Sequence, residues 1–570
     1  MSRSPAYTWP LALLSAWMAS KGLGAEPLAG GSRPGATSPD LAAASVRPWS
    51  DTTGKYKVEA ALAGVEGGKA RLKRADGKIV AIAIEKLSAP DQQYVRQWAE
   101  LRETLPWLDA NIPFDVVAML EPIPDSENAA VLYPDALFEF SAEVGHLFPP
   151  AERQRREPIA RRRWDQFVRL DEARRKDPKS VDPRAVDAWL AEHETGFKKL
   201  ALAQQRPRCA FPTEYRIESL LGHVQPTRQV ARVVQWQTRR DLQRGNFERP
   251  IQRVEMVLRL SRDQRRRGEH LAQLVSVAIE AICYQHVILE ILLAPGVRPE
   301  HCDRLLAALA RHDAEAADPF AVGYRTEYLI ARTFLFDFQH RDDPAVKQRI
   351  TRLGLAGPAD SPLTWIRLLT ALGAGGGPLA KEKYGAGIEG GREAGAVARL
   401  KELEGQINAM TAEDYAKQAQ TLGRVYAAIF ALEGQSMRQR DRACADQAIV
   451  EPLRETKVAV WLEPEFIVIQ AYLRSQAALH CTECLIALRR WQLSHRELPP
   501  DLDALIKAAG MTAVPVDPYS DQPMRMTLIQ GTPVIYSVGP DGKDDKALKV
   551  WNLRPGEPGD YVFRLEPPRG

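Results

Sequence analysis

The chain has 570 residues, of which 45% are hydrophobic and 26% are charged, and its formal net charge at pH 7 is +4. This length predicts several domains, and the composition excludes a wholly disordered or collagen-like chain. The weak net charge gives no general reason to expect nucleic acid as a partner. The motifs of zinc metalloproteases, serine hydrolases and phosphate-binding loops do not occur, so no set of residues specifies a reaction.

The N-terminal segment 1–25 has the features of a signal peptide. A basic residue precedes the apolar run 9–19, which is too short to cross a bilayer as a helix, and cleavage is expected after Gly24 or Ala25. An uncleaved anchor or a chance apolar stretch is the alternative. Residues 26–46 are rich in Gly, Pro, Ala and Ser and predict a flexible linker. We expect no later membrane span, and therefore an exported protein that is periplasmic, envelope-associated or extracellular.

Six cysteines are too few for a disulfide framework in so long a chain, so hydrophobic cores must supply the stability. Cys481 and Cys484 form a C-x-x-C pair, but the neighbouring histidine precedes the pair, unlike in a haem attachment site, and no second pair completes a zinc site. Apolar residues on both sides predict one continuous helix in which the two cysteines share a face. We interpret them as buried thiols; a disulfide, and redox or metal chemistry, are the alternatives.

Residues 47–101 have the alternating pattern of half-buried β-strands, with turn residues between the runs. The inward residues of three runs are predicted to be Tyr56, Val58 and Ala60, then Ala70 and Leu72, then Val80, Ile82 and Ile84. Ser88 is positioned to cap a short helix that covers the open side of a small barrel. The covering side chains are predicted to be Tyr94, Val95 and Trp98.

This segment resembles the Sla homology domain, or SHD module. The resemblance rests on the run 48–60, Pro-Trp-Ser-Asp-Thr-Thr-Gly-Lys-Tyr-Lys-Val-Glu-Ala, on Asp76-Gly77-Lys78, and on Lys86-Leu87-Ser88 followed by Asp91, Tyr94 and Val95. In endocytic adaptors the module is an SH3-like barrel that captures Asn-Pro-Phe sorting signals, and the family is associated with cytoskeletal-protein, ubiquitin and identical-protein binding. The resemblance implies a protein or peptide partner; a barrel that serves only as a structural cap is the alternative.

Residues 105–477 place apolar side chains three and four positions apart, which predicts long amphipathic helices. The join at Leu242, Gly245 and Phe247 is similar to the helix-turn-helix of a tetratricopeptide unit, although no fixed period recurs. We therefore expect an irregular, tetratricopeptide-like stack of helical pairs. Residues 373–395 hold nine glycines and predict a hinge; a phosphate loop is the alternative, but the Gly-Lys-Ser/Thr ending is missing.

Residues 478–570 combine a long helix, a proline-rich crossing and a small antiparallel sheet. The helix is predicted to stop at Pro499 and Pro500 and to restart at an Asp501 cap. Strands are predicted at 524–529, 534–537 and 561–565. With the motif Ser-Val-Gly-Pro-Asp-Gly at 537–542, this segment resembles the globular part of the major pseudopilin of type II secretion. Fibre assembly is not expected, because the apolar packing helix of a pseudopilin is missing.

In the pseudopilin family the loop behind this motif binds calcium, and the resemblance implies a calcium site here. Calcium takes roughly six to eight hard oxygen ligands, mostly from carboxylates and carbonyls. The candidate metal ligands are Asp541, Asp544, Asp545 and Asp560. A solvated acidic turn is the alternative, because the family's glycine-rich stretch is missing and Lys543 and Lys546 reduce the local negative charge.

Two arginine clusters, at 153–163 and at 265–267, lie beside acidic residues. We interpret both as salt-bridged helix surface, with contact to an anionic polymer as the alternative.

The sequence thus predicts a multidomain, mainly α protein with a small SH3-like β-barrel, an irregular tetratricopeptide-like helical body and a C-terminal α+β pseudopilin-like module. The predicted function is that of a non-enzymatic exported adaptor or scaffold with a protein or peptide ligand, with self-association as a further option. No catalytic residue, no nucleic-acid partner and no cofactor other than calcium is predicted. A cell-envelope or type II secretion component is the first alternative function, and an unrecognised hydrolase is the second.

Overall fold

The computed structural model describes residues 46–141, 148–177, 181–216, 222–352, 394–551 and 559–566. The predicted signal peptide, nearly all of the linker and nearly all of the glycine-rich hinge lie outside these residues. Within them the chain is mainly helical, with a small antiparallel sheet near the N-terminal end and further sheets near the C-terminal end.

The N-terminal unit is a four-stranded antiparallel sheet in the order β1-β2-β3-β4. Its strands are β1 (Arg47–Ser50), β2 (Lys57–Glu66), β3 (Lys69–Arg74) and β4 (Ile79–Ala83). Helix α1 (Ala89–Thr104) follows, and its cap is confirmed because the Ser88 hydroxyl accepts the N–H of Asp91. A bridge between Asp51 and Leu87 joins the end of β1 to the segment behind β4.

The core of this unit lies between the sheet and α1. Leu72, Val95 and Trp98 are buried as predicted. The prediction for Tyr56 is wrong, because its side chain is 78% exposed: the residue precedes β2 and belongs to the loop behind β1. Val80 is 38% exposed, since β4 lies at the edge of the sheet.

The helical body begins behind α1. Its helices are α2 (Val116–Met119), α3 (Tyr133–Leu137), α4 (Pro150–Lys176), α5 (Pro183–Glu192), α6 (Glu194–Ala203), α7 (Val224–Gln243), α8 (Glu248–Arg265), α9 (His270–Ile282), α10 (Leu289–Leu293), α11 (Pro299–Glu315), α12 (Pro319–Gln339), α13 (Pro344–Arg352), α14 (Ala394–Asn408), α15 (Ala412–Phe430) and α16 (Met437–Ala445). A π-helical turn (Cys283–Ile288) connects α9 to α10.

Helices α7, α8 and α9 pack against one another, α8 also contacts α11, and α12 packs against α15. A turn between two helices lies where the sequence predicts it: α7 ends at Gln243, and Gly245 has a φ of +74°, a left-handed conformation that glycine adopts without steric cost. Successive helices are therefore neighbours in space, but the pairs do not repeat at a fixed length.

Helix α17 (Ile467–Ser494) connects the helical body to the C-terminal sheets. It packs against α9 and α11 and, farther along the chain, against α18 (Leu502–Ala508) and the last sheet. The predicted continuous helix is confirmed, and the predicted domain boundary between 477 and 478 lies inside it. Cys481 and Cys484 are free, fully buried thiols, and burial raises the pKa of each.

The C-terminal strands are β5 (Val516–Asp517), β6 (Gln522–Pro523), β7 (Arg525–Ile529), β8 (Thr532–Ser537) and β9 (Tyr561–Phe563). The order β7-β8-β9 confirms the predicted hairpin and third strand. The predicted helix restart is also confirmed, because the Asp501 side chain accepts the N–H of Ala504 at the start of α18.

The run His270–Leu293 is long and apolar enough to cross a membrane by length and composition, and an 18-residue window within it has a mean hydropathy of 1.6. The expectation that no later segment meets these criteria is therefore wrong. In the structure 56% of this window is buried, and α9 packs against α7, α8, α12 and α17. The run thus serves as a core element of the helical body.

Candidate functional site

Strand β4 is an open edge of the N-terminal sheet. It pairs with β3 and, within the described part of the chain, with no other strand. Native edge strands are usually protected from pairing by charged residues or proline, but β4 reads Ile-Val-Ala-Ile-Ala. Ile79 and Val80 are 49% and 38% exposed. The edge therefore offers unpaired backbone groups together with accessible apolar side chains.

The outer face of β3 and β4 carries two parallel rows of side chains, one basic and one apolar. Residues directly opposite each other in an antiparallel pair share a face of the sheet. The cross-strand pairs on this face are Lys69–Ala83, Arg71–Ala81 and Lys73–Ile79. Arg71 forms a 3.1 Å ion pair with Glu66, but both side chains are exposed, and such pairs contribute little. The face therefore suits a ligand that has both apolar and acidic groups.

Asp91 fixes α1 onto the sheet below this surface. Its carboxylate is 3% exposed and accepts the backbone N–H of Ser50 and the hydroxyl of Ser88, each at 2.8 Å. Arg47 forms a 2.8 Å ion pair with the same carboxylate, and its guanidinium lies 4.2 Å from the ring centre of Tyr94. These contacts join β1, the segment behind β4 and α1, so the strands are held in a defined arrangement.

The loop behind β1 presents a second exposed apolar group. The Asp51 carboxylate accepts the Thr53 hydroxyl at 2.8 Å and the backbone N–H of Tyr56 at 3.2 Å. The Thr53 hydrogen bond is the main reason why the pKa of Asp51 is lowered. This bonding fixes the loop while the Tyr56 ring stays in solvent, where it can contact a bound chain.

The predicted calcium ligands have separate partners in the structure. Asp560 is fully buried and accepts the backbone N–H of Ala547 at 2.6 Å, and burial raises its pKa. Asp544 accepts the Tyr536 hydroxyl at 3.0 Å and lies 3.3 Å from Arg525. The carboxylate of Asp541 accepts the N–H of Lys543, and the Asp545 N–H points to Asp560. Among the described residues no group of three or more His, Cys, Asp or Glu could hold a metal ion, so calcium binding stays a prediction.

The first arginine cluster is salt-bridged, as predicted, and lies mostly on helix surface, but Arg163 and its partner Glu139 are largely buried. Its ion pairs include Arg156–Asp135, Arg161–Glu157 and Arg163–Glu139. The prediction for Arg265 is wrong, because this residue is only 6% exposed and pairs with the buried Glu280 at 2.6 Å. The partner lies on the next helix, so the neighbouring sequence does not reveal it.

Residues 37–103 match the family model of SLA1 homology domain 1, SHD1. The match covers a small part of the chain and includes the whole four-stranded sheet and nearly all of α1. No curated protein and no solved structure matches the chain. The N-terminal part of the protein is therefore similar to SHD1 domains, which points to a binding or adaptor role in general.

Proposed function

We propose that this protein is an adaptor that binds an extended segment of a partner protein along β4. The observation that carries this proposal is the open, uncharged edge of β4 within the region that matches SHD1. A peptide that adds a strand to a sheet edge gains main-chain hydrogen bonds, while neighbouring side chains select its sequence. The exposed Ile79, on the same face of the sheet as the basic row, supplies the apolar part of that selection.

The charged part of the selection comes from Lys69, Arg71 and Lys73. These residues lie on β3, so a strand added beyond β4 runs about 10 Å away from them, a distance that two long charged side chains span together. An acidic residue on the outer face of the bound peptide would meet this basic row. The ligand we propose is therefore an extended segment in which apolar and acidic residues share one face.

The same proposal includes an architecture for each part of the chain and a location for the protein. The bridge between Asp51 and Leu87 joins β1 to the segment behind β4 and leaves β4 itself free, which supports a partly open, SH3-like barrel. The neighbouring helices α7 to α9 support a tetratricopeptide-like scaffold. The long α17 followed by the β7-β8-β9 sheet supports a pseudopilin-like C-terminal module. The sequence of residues 1–25 supports export. In this arrangement the peptide-binding domain follows a flexible linker, outside the cytoplasm.

The test is selection of a random linear peptide library on the full chain. We expect the enriched peptides to carry apolar or acidic residues at every second position, so that these residues share one face of the added strand. The double variant Ile79→Glu, Arg71→Glu should lose binding of these peptides, because it places negative charge in both rows. Leu202→Glu, which charges an exposed apolar residue on α6, is the matched control and should bind as the wild type does. Equal binding by the double variant would refute the proposal.

A further inference from the structure

A cavity of about 450 Å³ lies where the segment around α2, the turn between α8 and α9, and the start of α12 meet. Its apolar wall includes Phe114 and Met119, and four arginines complete the lining. These are Arg208, Arg266, Arg267 and Arg325. Asp115 is the one acidic residue in the described lining, so the side chains that face the cavity carry a clear excess of positive charge.

Three of the four guanidiniums are held in place from outside the lining. Arg208 forms a 2.9 Å ion pair with Glu121, and Arg267 donates to the backbone carbonyl of the same residue at 2.5 Å. Arg325 forms a 2.8 Å ion pair with Glu433. Arg208 also lies 3.9 Å from Glu127. A guanidinium has five N–H donors, so these few contacts leave donors for a ligand on each of the three.

Arg266 differs from the other three. Within the described residues its side chain has no hydrogen bond and no ion pair, although it is only partly exposed. Burial and the repulsion from Arg208 lower the pKa of the neighbouring Arg267, so these guanidiniums occupy an environment that disfavours further positive charge. An anion in the cavity would supply the missing partner for Arg266.

The turn that carries Arg266 and Arg267 is fixed in advance. Arg267 has a φ of +56°, a left-handed conformation that is unusual for a residue with a side chain. The buried amide of Gln264 donates to the carbonyl of Ala272 at 3.0 Å, and that of Gln273 donates to the carbonyl of Arg265 at 2.8 Å. These bonds hold the turn in a conformation that is strained at one residue, a feature that is common at ligand sites.

We propose that this cavity binds a small organic anion, with an apolar body against Phe114 and Met119 and a carboxylate or phosphate group on the arginines. The volume falls in the range of small-molecule sites, which combine an apolar lining with a few placed polar groups. Guanidinium groups bind both headgroups through paired hydrogen bonds. The proposal is independent of peptide binding at β4.

The test is isothermal titration calorimetry of the full chain with four probes: hexanoate, hexyl phosphate, hexanol and inorganic phosphate. We expect hexanoate, hexyl phosphate or both to bind, and the tighter of the two identifies the headgroup. Hexanol lacks the charge and inorganic phosphate lacks the apolar body, so each should bind at least about tenfold more weakly, which corresponds to about 1.4 kcal/mol. Binding of either control as tightly as the amphiphilic anions, or no binding by both anions, overturns the proposal.

Two variants locate the binding. Arg266→Gln should weaken binding of the anion by about tenfold or more, whereas Arg155→Gln, an exposed arginine on α4, should leave it unchanged. Ala118→Trp fills the cavity from an exposed lining position and should block binding even if Arg266→Gln alters the turn. Wild-type affinity in both cavity variants would show that the anion binds elsewhere.

Discussion

Ser537 donates its hydroxyl to the buried carboxylate of Asp517, with 2.7 Å between the two oxygens. The same carboxylate accepts the backbone N–H groups of Val538 and Tyr519, each at 3.0 Å, and lies 3.3 Å from Arg525. Asp517 is fully buried, and these donors come from β7, from the end of β8 and from the turn behind β5. One side chain thus ties together the parts of the C-terminal sheets.

We predict that Asp517→Ala destabilises the protein by about 3–5 kcal/mol, because it leaves buried donors and a cation without their partner. The measurement is the free energy of unfolding from urea titration, followed by the tyrosine and tryptophan signal. Asp503→Asn, at an exposed position on α18, is the control and should change this free energy by less than about 0.5 kcal/mol. A similarly small change for Asp517→Ala would contradict the assigned role.

A second prediction concerns Glu280 and pH. Burial alone would raise the pKa of Glu280, but Arg265, His312 and Ser261 lower it to about 2. A carboxyl group with a lowered pKa stabilises the folded state above its unfolded pKa, and this contribution is lost as the pH falls through the folded value. From 4.5 to about 2, the contribution is about 3 kcal/mol at neutral pH.

Glu280→Gln should therefore destabilise the protein strongly at pH 7, and the difference from wild type should shrink between pH 4.5 and pH 2. In this range the carboxyl group of the unfolded chain becomes protonated, while that of the folded protein keeps its charge down to about pH 2. Urea titrations at several pH values measure this difference. Glu497→Gln, at an exposed position, is the matched control. A difference that stays constant with pH would show that charge at Glu280 is not what stabilises the fold.

The N-terminal unit should fold as an isolated fragment of residues 46–104, because its sheet and α1 close a local core. A domain of this size has marginal stability, and Leu72 is fully buried in that core. Leu72→Ala should therefore unfold the fragment, since such truncations cost about 2–5 kcal/mol. Far-UV circular dichroism detects the loss, with the exposed Ile79→Ala as control. An unstructured wild-type fragment would show dependence on the helical body, which α1 contacts through the Tyr94–Asp115 hydrogen bond.

Calcium binding near the C-terminus can be tested on the full chain. Binding to the folded state alone stabilises it by about 2.7 kcal/mol when calcium is in hundredfold excess over Kd. We predict a higher melting temperature in millimolar calcium than in chelator, with no difference in Asp541→Ala. Identical melting of the wild type in both buffers would show that the loop is a solvated acidic turn.

Export predicts the N-terminus of the mature protein. Mass spectrometry of protein from the native cells should find the first residue near Ala25 or Glu26, because cleavage is expected behind the apolar run. Intact Met1 in the soluble cytoplasmic fraction would contradict export.

The elements that could be predicted from the sequence are those with a local signal. The Ser88 cap, the strands around Ala70 and Ile535, and the uninterrupted helix through Cys481 each follow from residues within one element. Periodicity also predicted which face of β3 is buried. It gave the wrong environment for Tyr56, because alternation does not show where a strand begins.

The cavity and the buried ion pairs could not be predicted, because they join residues that are distant in sequence. Phe114, Arg208 and Arg325 meet only after the helical body has folded, and no spacing rule links them. The run of three arginines at the end of α8 resembles ordinary surface, but Arg265, the last residue of the helix, points into the core, and the turn behind it directs the other two to the cavity. The edge position of β4 likewise depends on sheet order, which the sequence of one strand does not contain.

Helix α17 has a consequence for the order of folding during synthesis. It packs against α9 and α11, so these helices lack part of their core until residues 467–494 have left the ribosome. A ribosome produces the N-terminal part of a chain first, so α9 and α11 are synthesised before α17. The apolar side chains that these helices bury against α17 stay exposed until then. The apolar run His270–Leu293 contributes to this temporarily exposed surface. The core of the helical body is therefore complete only after α17 has been made.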